Sequence, residues 1–295
     1  MAEPISIEFT RFSAFYSPLI ATFAGGFLQD EGFEVKHTVS APGKSALTGL
    51  LDGSVHVAQN AAAYGLLALE KGEKPNIRHF AQINERDGFF ITARKPDPNF
   101  TWDKLKDGEI LVDHGDQPLA MFKYACHRMG LDFKSAKVGD AGMGKNEAAF
   151  RAGRGDYVHL QGPGPQQLEH DGAGHIVASL ADAVGPCAFS SLAATPEWLK
   201  TDAAQRFTNA YRKARAWLIA TPAADVAKAE IKYFPGIDEG VLRDTITVYQ
   251  KLGNWTPHVE ITRQAFDAVQ DIFLHAGRIT KKYNYEDVIA PPPTA

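Results

Sequence analysis

Apolar and polar residues alternate over residues 5–11, with Ile5, Ile7 and Phe9 on one face, the two-residue period of a strand. Residues 18–27 are then almost wholly apolar and open on a proline, which predicts a helix. Gly32 breaks this run before a second strand over 34–39. A short helix over 44–51, a third strand over 55–59 and a helix over 61–71 ending in Lys-Gly come next. Residues 80–83 and 89–93 read as two further strands, and 94–98 as a proline-bearing connection. Strands alternating with helices imply a parallel sheet.

The pattern then repeats. The first strand leads into Phe12-Ser13-Ala14-Phe15-Tyr16-Ser17-Pro18-Leu19, and Ile110-Leu111-Val112 leads into Asp113-His114-Gly115-Asp116-Gln117-Pro118-Leu119. Each is strand, polar loop, Pro-Leu, helix. Downstream, Asp52-Gly53-Ser54-Val55-His56-Val57-Ala58-Gln59-Asn60 is echoed by Arg154-Gly155-Asp156-Tyr157-Val158-His159-Leu160-Gln161-Gly162. From Pro18 to Gln59 is 41 residues, and from Pro118 to Gln161 is 43. The agreement points to two similar α/β lobes instead of one continuous sheet. Beyond residue 197 the chain reads as helical: Phe207, Ala210, Tyr211, Ala214 and Trp217 form a core stripe, and 242–252 and 261–276 repeat the period. The closing Pro291-Pro292-Pro293 reads as a frayed end.

Composition narrows the function. At 295 residues, 44% hydrophobic and 22% charged, the chain is an ordinary globular one. A net charge of −4, with no basic run interleaved with aromatics, excludes a nucleic-acid partner. Cys126 and Cys187 are too few and too far apart for a disulfide framework or a CxxC metal signature, and read as two packed thiols. No apolar run reaches the roughly 20 residues of a membrane span. No basic and apolar leader precedes the first strand, so a native Met1 implies the cytoplasm, whereas a trimmed mature chain leaves the periplasm open.

Few catalytic motifs survive inspection. Gly139-Asp140-Ala141-Gly142-Met143-Gly144-Lys145-Asn146 fits G-x-x-x-x-G-K, but Asn146 stands where a hydroxyl would hold magnesium, so a glycine turn before a helix over 147–152 is expected. There is no G-x-S-x-G elbow and no H-E-x-x-H. His170 and His175 lack a third ligand nearby, so no metal and no cofactor are expected.

Geometry supplies the candidates instead. Ligands in open α/β sheets sit beyond the carboxyl ends of the strands, beside helix N-termini. The echo marks Ser13, Phe15, Tyr16 and Ser17, then Asn60 and Tyr64, then His114 and Gln117, then Gln161, with Ser45 at a further helix start. Asp113 and Asp116 weigh against a strongly anionic ligand, while Phe15, Tyr16 and Tyr64 suit a flat ring. A small polar ligand, planar and nitrogen-rich or zwitterionic, fits this mixture.

Gly25-Gly26-Phe27-Leu28-Gln29-Asp30-Glu31-Gly32-Phe33-Glu34-Val35, the segment from Ala46 to Gln59, and Val184-Gly185-Pro186-Cys187-Ala188-Phe189-Ser190-Ser191-Leu192-Ala193-Ala194-Thr195-Pro196-Glu197-Trp198-Leu199 resemble the SsuA/THI5-like (NMT1-type) family of ABC-transporter solute-binding proteins in order and spacing. The resemblance implies a type II periplasmic-binding-protein fold, two α/β lobes joined by a two-strand hinge at residues 89–93 and 188–194, with lobe one built from both chain ends (1–92 and 190–295) and lobe two (93–189) inserted in it. It implies a monomer that hands its ligand to a transporter permease. Ligands in the family include sulfonates, nitrate, bicarbonate, taurine and pyrimidine precursors of thiamine. The family also contains an enzyme alternative. The histidine of THI5-like pyrimidine synthases falls on Tyr64, and their cysteine run is reduced to Cys187 near the hinge, which joins the ligand-binding candidates. The nucleophile of related desulfinases falls among Phe12, Ser13 and Ala14. A cytoplasmic ligand sensor on the same scaffold is the remaining alternative.

Overall fold

The computed structural model describes residues 2–41, 44–142 and 144–294. Among them, ten strands form two sheets of five. The strands are β1 (Glu3–Phe9), β2 (Phe33–Val39), β3 (Val57–Asn60), β4 (Arg78–Asn84), β5 (Phe89–Ala93), β6 (Glu109–Leu111), β7 (Lys137–Gly139), β8 (Tyr157–Gln161), β9 (His175–Ser179) and β10 (Ser190–Ala194). The first sheet runs β2-β1-β3-β10-β4 and the second β7-β6-β8-β5-β9. One order maps onto the other, with β1 matching β6 and β3 matching β8. The echo in the sequence is therefore a repeat of topology.

The sheets are mixed, not parallel as the strand–helix alternation predicts. β1 pairs in parallel with β2 and β3, but β10 runs antiparallel to β3 and β4, and β5 antiparallel to β8 and β9. Strands β5 and β10 each enter from the other sheet instead of returning through a crossover helix, so nothing forces them parallel. The chain changes sheets over residues 85–88 and 185–189. These two segments are tied together, Cys187 N–H donating to the Glu85 carbonyl (2.9 Å) and Phe189 N–H to that of Asn84 (3.1 Å).

Alternation holds where one face meets solvent: Ile5, Ile7 and Phe9 are buried while Ser6 and Glu8 are half-buried. Central strands β3 and β10 are buried throughout. The expected helix over 18–27 is two pieces, a helix Ser17–Ala24, entered through a 3-10 turn Ala14–Tyr16, and a turn of helix Phe27–Asp30. They are split at Gly26, whose φ of 83° is open to glycine but strained for other residues. The helix expected over 44–51 is the shorter Thr48–Asp52.

Helices Asp202–Ala220, Glu239–Leu252 and Arg263–His275 complete the first lobe, capped by Thr201, Asp238 and Thr262. Phe207, Ala210, Tyr211 and Ala214 are core, as the stripe predicts. Arg215, wholly buried beside them, donates to the carbonyls of Gln82, Ile83 and Thr256 and so anchors the end of β4. The proline tail is packed, correcting the frayed end. Ala290 N–H donates to the His79 carbonyl, Arg212 to that of Pro293, and Pro292 is buried.

Candidate functional site: a cleft between the two lobes

The loops that follow β1, β3, β6 and β8 leave the carboxyl ends of their strands and face one another across the lobes, the arrangement expected for a ligand crevice. They enclose a hollow of about 640 Å³. Beneath it lies a narrower one of about 80 Å³, lined by Tyr16, Gln59, Gln117, Phe189 and Ser190. Thr10, Arg11, Asn60, Tyr64, Phe89 and Gln161 line both, so the two form one continuous site.

Several contacts cross or border the cleft. Arg11 Nη2 lies 2.5 Å from Asp113 Oδ2, with side chains 33% and 10% exposed. Burial pulls the Arg11 guanidinium down, but Asp113 and Tyr16 outweigh it and leave its pKa raised. Burial likewise pushes the Asp113 carboxyl up, yet Arg11 and the Gly115 N–H hold it below its ordinary value. Both partners are therefore charged. The Ser13 hydroxyl donates to the Gly162 carbonyl, and Gln117 Nε2 donates to that of Phe189 (3.3 Å). Tyr249, buried behind the cleft, accepts from Gly162 N–H and donates to the Gly88 carbonyl, both at 2.8 Å.

The floor is aromatic and its polar atoms are short of partners. His159 stacks on Phe89 with ring centroids 4.3 Å apart and planes 17° apart. Burial lowers the His159 pKa to about 3, so the imidazole is neutral at pH 7 and offers one donor and one acceptor. Neither of its nitrogens has a hydrogen-bond partner among the described residues, nor do Oε1 of Gln117 and Oε1 of Gln161. Buried polar atoms ordinarily find partners, so these four, on residues that line the cleft, are free to meet a bound molecule. Burial raises the pKa of Tyr16 and of Tyr64, Asp116 adding to the latter, and both phenols stay protonated.

Of the residues expected from sequence, Ser13, Tyr16, Asn60, Tyr64, Gln117 and Gln161 line the cleft, and Ser45 stands at its rim. Asn60 is largely committed to the wall, accepting from Ala61 N–H and donating to Thr10 Oγ1. Four others lie elsewhere. Phe15 is core, its ring between those of Phe189 and Tyr249. Ser17 is buried against the Ala14 carbonyl and Glu230. His114 turns outward to Asp140 (3.1 Å). Cys187 is wholly buried, and desolvation with nearby Asp87 pushes its thiol up, away from the nucleophilic thiolate.

Arg11, Phe89 and His159 are site residues that sequence reasoning did not select. Their signal was position: Arg11 lies two residues past the end of β1, and His159 lies within the echoed strand. In the glycine-rich loop, Met143 lies outside the described residues. Asn146 Oδ1 accepts from Ala141 N–H (2.7 Å), closing the turn, and the helix there runs Asn146–Arg151. Among the described residues, no group of three or more His, Cys, Asp or Glu is placed to hold a metal ion. No helix among them is long and apolar enough to cross a membrane.

The two repeated sheets, the paired crossings and the cleft between them define a type II periplasmic-binding fold. The chain belongs to the NMT1/THI5-like family, whose model matches residues 15–225. YtlA of Bacillus subtilis, itself named a binding protein only provisionally, is 28% identical over 282 residues, 94% of this chain and 84% of that protein. The fold is shared with the periplasmic aliphatic sulphonate binding protein SsuA of Escherichia coli (TM-score 0.73, 15% identity, 100% of this chain and 94% of that one). It is shared also with the desulfurization enzyme DSZB (TM-score 0.70, 13% identity, 98% and 96%).

Proposed function

We propose that the chain is a solute-binding protein of the ABC-transporter type, closing residues 1–92 with 190–295 onto residues 93–189 over one small, polar, uncharged or zwitterionic molecule. The observation that carries this reading is the set of unpartnered Gln117, Gln161 and His159 atoms facing a hollow built from both lobes. Family membership supports it, and so does charge. Among the described residues, the formal charges lining the cleft are Arg11, Lys44, Asp113 and Glu147, two of each sign. Phe89, Tyr16 and Tyr64 add flat apolar surface for a ring. By analogy with its relatives, the chain would deliver its ligand to a permease outside the cytoplasmic membrane.

Binding without turnover is the companion claim. The cysteine nucleophile that an enzyme on this scaffold would draw on at the crossing segment, Cys187, is buried and does not line the cleft. Native mass spectrometry of the purified chain, followed by calorimetry with uncharged heterocycles, amino-acid zwitterions and alkanesulfonates, is expected to give one ligand per chain, recovered unchanged. Recovery of a converted product would transfer the chain to the enzymes of the family. Absence of any bound small molecule would remove the binding reading itself.

A further inference from the structure

Among the described residues, one fully charged pair, Arg11 with Asp113, stands in the cleft, and its Arg11 reaches into the part the two hollows share. Lys44 is exposed on the rim, and Glu147 is already bound to Arg151 at 2.9 Å. Arg11 lines both hollows, and its one hydrogen bond among the described residues goes to Asp113. A guanidinium has five N–H donors in a fixed fork, so most of this one is uncommitted. Asp113 is held at both carboxylate oxygens. Its Oδ1 accepts from Gly115 N–H at 2.8 Å while Oδ2 holds Arg11, and the side chain is 10% exposed.

We propose that Asp113 sets the charge preference of the cleft: by occupying Arg11 from the opposite lobe it excludes small monovalent oxyanions, and loss of its charge alone makes the site an oxyanion receptor. The inference rests on the solute-binding reading and names the residue that decides ligand class. An oxyanion approaching Arg11 meets a fixed carboxylate a few ångströms off, in a partly buried site where like charges repel strongly. A neutral or zwitterionic molecule meets no such barrier, because it adds no net charge. The substitution Asp113→Asn keeps an oxygen for Gly115 N–H and the shape of the side chain, so it removes the charge with little else.

The experiment compares the wild type, D113N and the double variant R11M/D113N by titration calorimetry with methanesulfonate and nitrate at low salt. D113N is expected to bind methanesulfonate at least about tenfold more tightly than the wild type, the gain of one charge-assisted hydrogen bond. The double variant is expected to lose that gain. Equal affinity of wild type and D113N overturns the proposal, as does a gain that persists without Arg11. Should D113N not fold, D113S supplies an oxygen for the same turn and carries the same comparison. The readout is a difference between variants toward a named anion. The solute-binding reading fails separately, when the wild-type chain holds no solute at all.

Discussion

The imidazole of His159 lies face to face on the ring of Phe89, in the floor of the cleft and without a hydrogen bond to either nitrogen among the described residues. Its folded pKa of about 3 lies far below the ordinary 6.5. Between those values the unfolded chain takes up a proton that the folded chain refuses, so stability falls as pH drops through that window. His159→Phe keeps the stacked shape and removes the nitrogens. Urea unfolding at pH 4, 5 and 7 is expected to show a shallower acid loss for the variant, by up to about 1.4 kcal/mol per pH unit. Ligand affinity should fall in the same variant. Unchanged affinity would take His159 out of the recognition surface.

Glu230 and Ser17 give the opposite sign. Burial raises the Glu230 pKa from 4.5 to about 8, the Ser17 hydroxyl opposing it at 2.7 Å. Below pH 4.5 the group is protonated in both states; above it the unfolded chain releases a proton that the folded chain keeps until about pH 8. Wild-type stability therefore loses ground as pH rises through that window. Glu230→Gln removes the loss. Its melting temperature relative to wild type is expected to climb by at least about 3 °C between pH 5 and pH 8. A difference independent of pH would mean that Glu230 is ionised in the folded chain.

Tyr249 joins two backbone groups, the Gly162 N–H of the second lobe and the Gly88 carbonyl of the crossing segment. Tyr249→Phe leaves both buried and unpaired. The expected cost is about 1–3 kcal/mol in equilibrium denaturation. Ligand affinity should also change, since the Gly162 loop borders the cleft.

Cys126 and Cys187 are both buried, and burial raises the first thiol to about 12 and pushes the second higher still. A thiol reagent such as DTNB should therefore find no reactive cysteine in the native chain and two after denaturation. Cys187→Ala is expected to bind ligand within about twofold of wild type, because the residue packs the hinge and does not line the cleft. A fast native reaction at Cys187 would reopen the enzyme alternative.

Much of the fold was legible because it is written in local spacing. Pro18 and Pro118 mark matching helix starts, and Gln59 and Gln161 matching strand ends, in two sheets of corresponding order. The site was legible only as loops. Phe15, Tyr16 and Ser17 are consecutive, and a tight turn running into a helix points them in three directions. Only Tyr16 faces the cleft; Phe15 packs against Gly88, where an added Cβ would lie 2.4 Å from its ring. A periodicity argument says that such a loop is polar and exposed at a strand end, not which of three neighbours is turned inward.

The sequence by itself determined the element order of the first ninety or so residues, the internal repeat and the absence of the common catalytic motifs, because each follows from residues near one another along the chain. The tertiary structure decided that β5 and β10 run against their neighbours, and that Arg11 meets Asp113 across 102 residues. The physical reason is the same for both. Strand direction and charge pairing depend on which lobe a segment enters after crossing at 85–88 or 185–189, and that is settled by packing between distant parts of the chain.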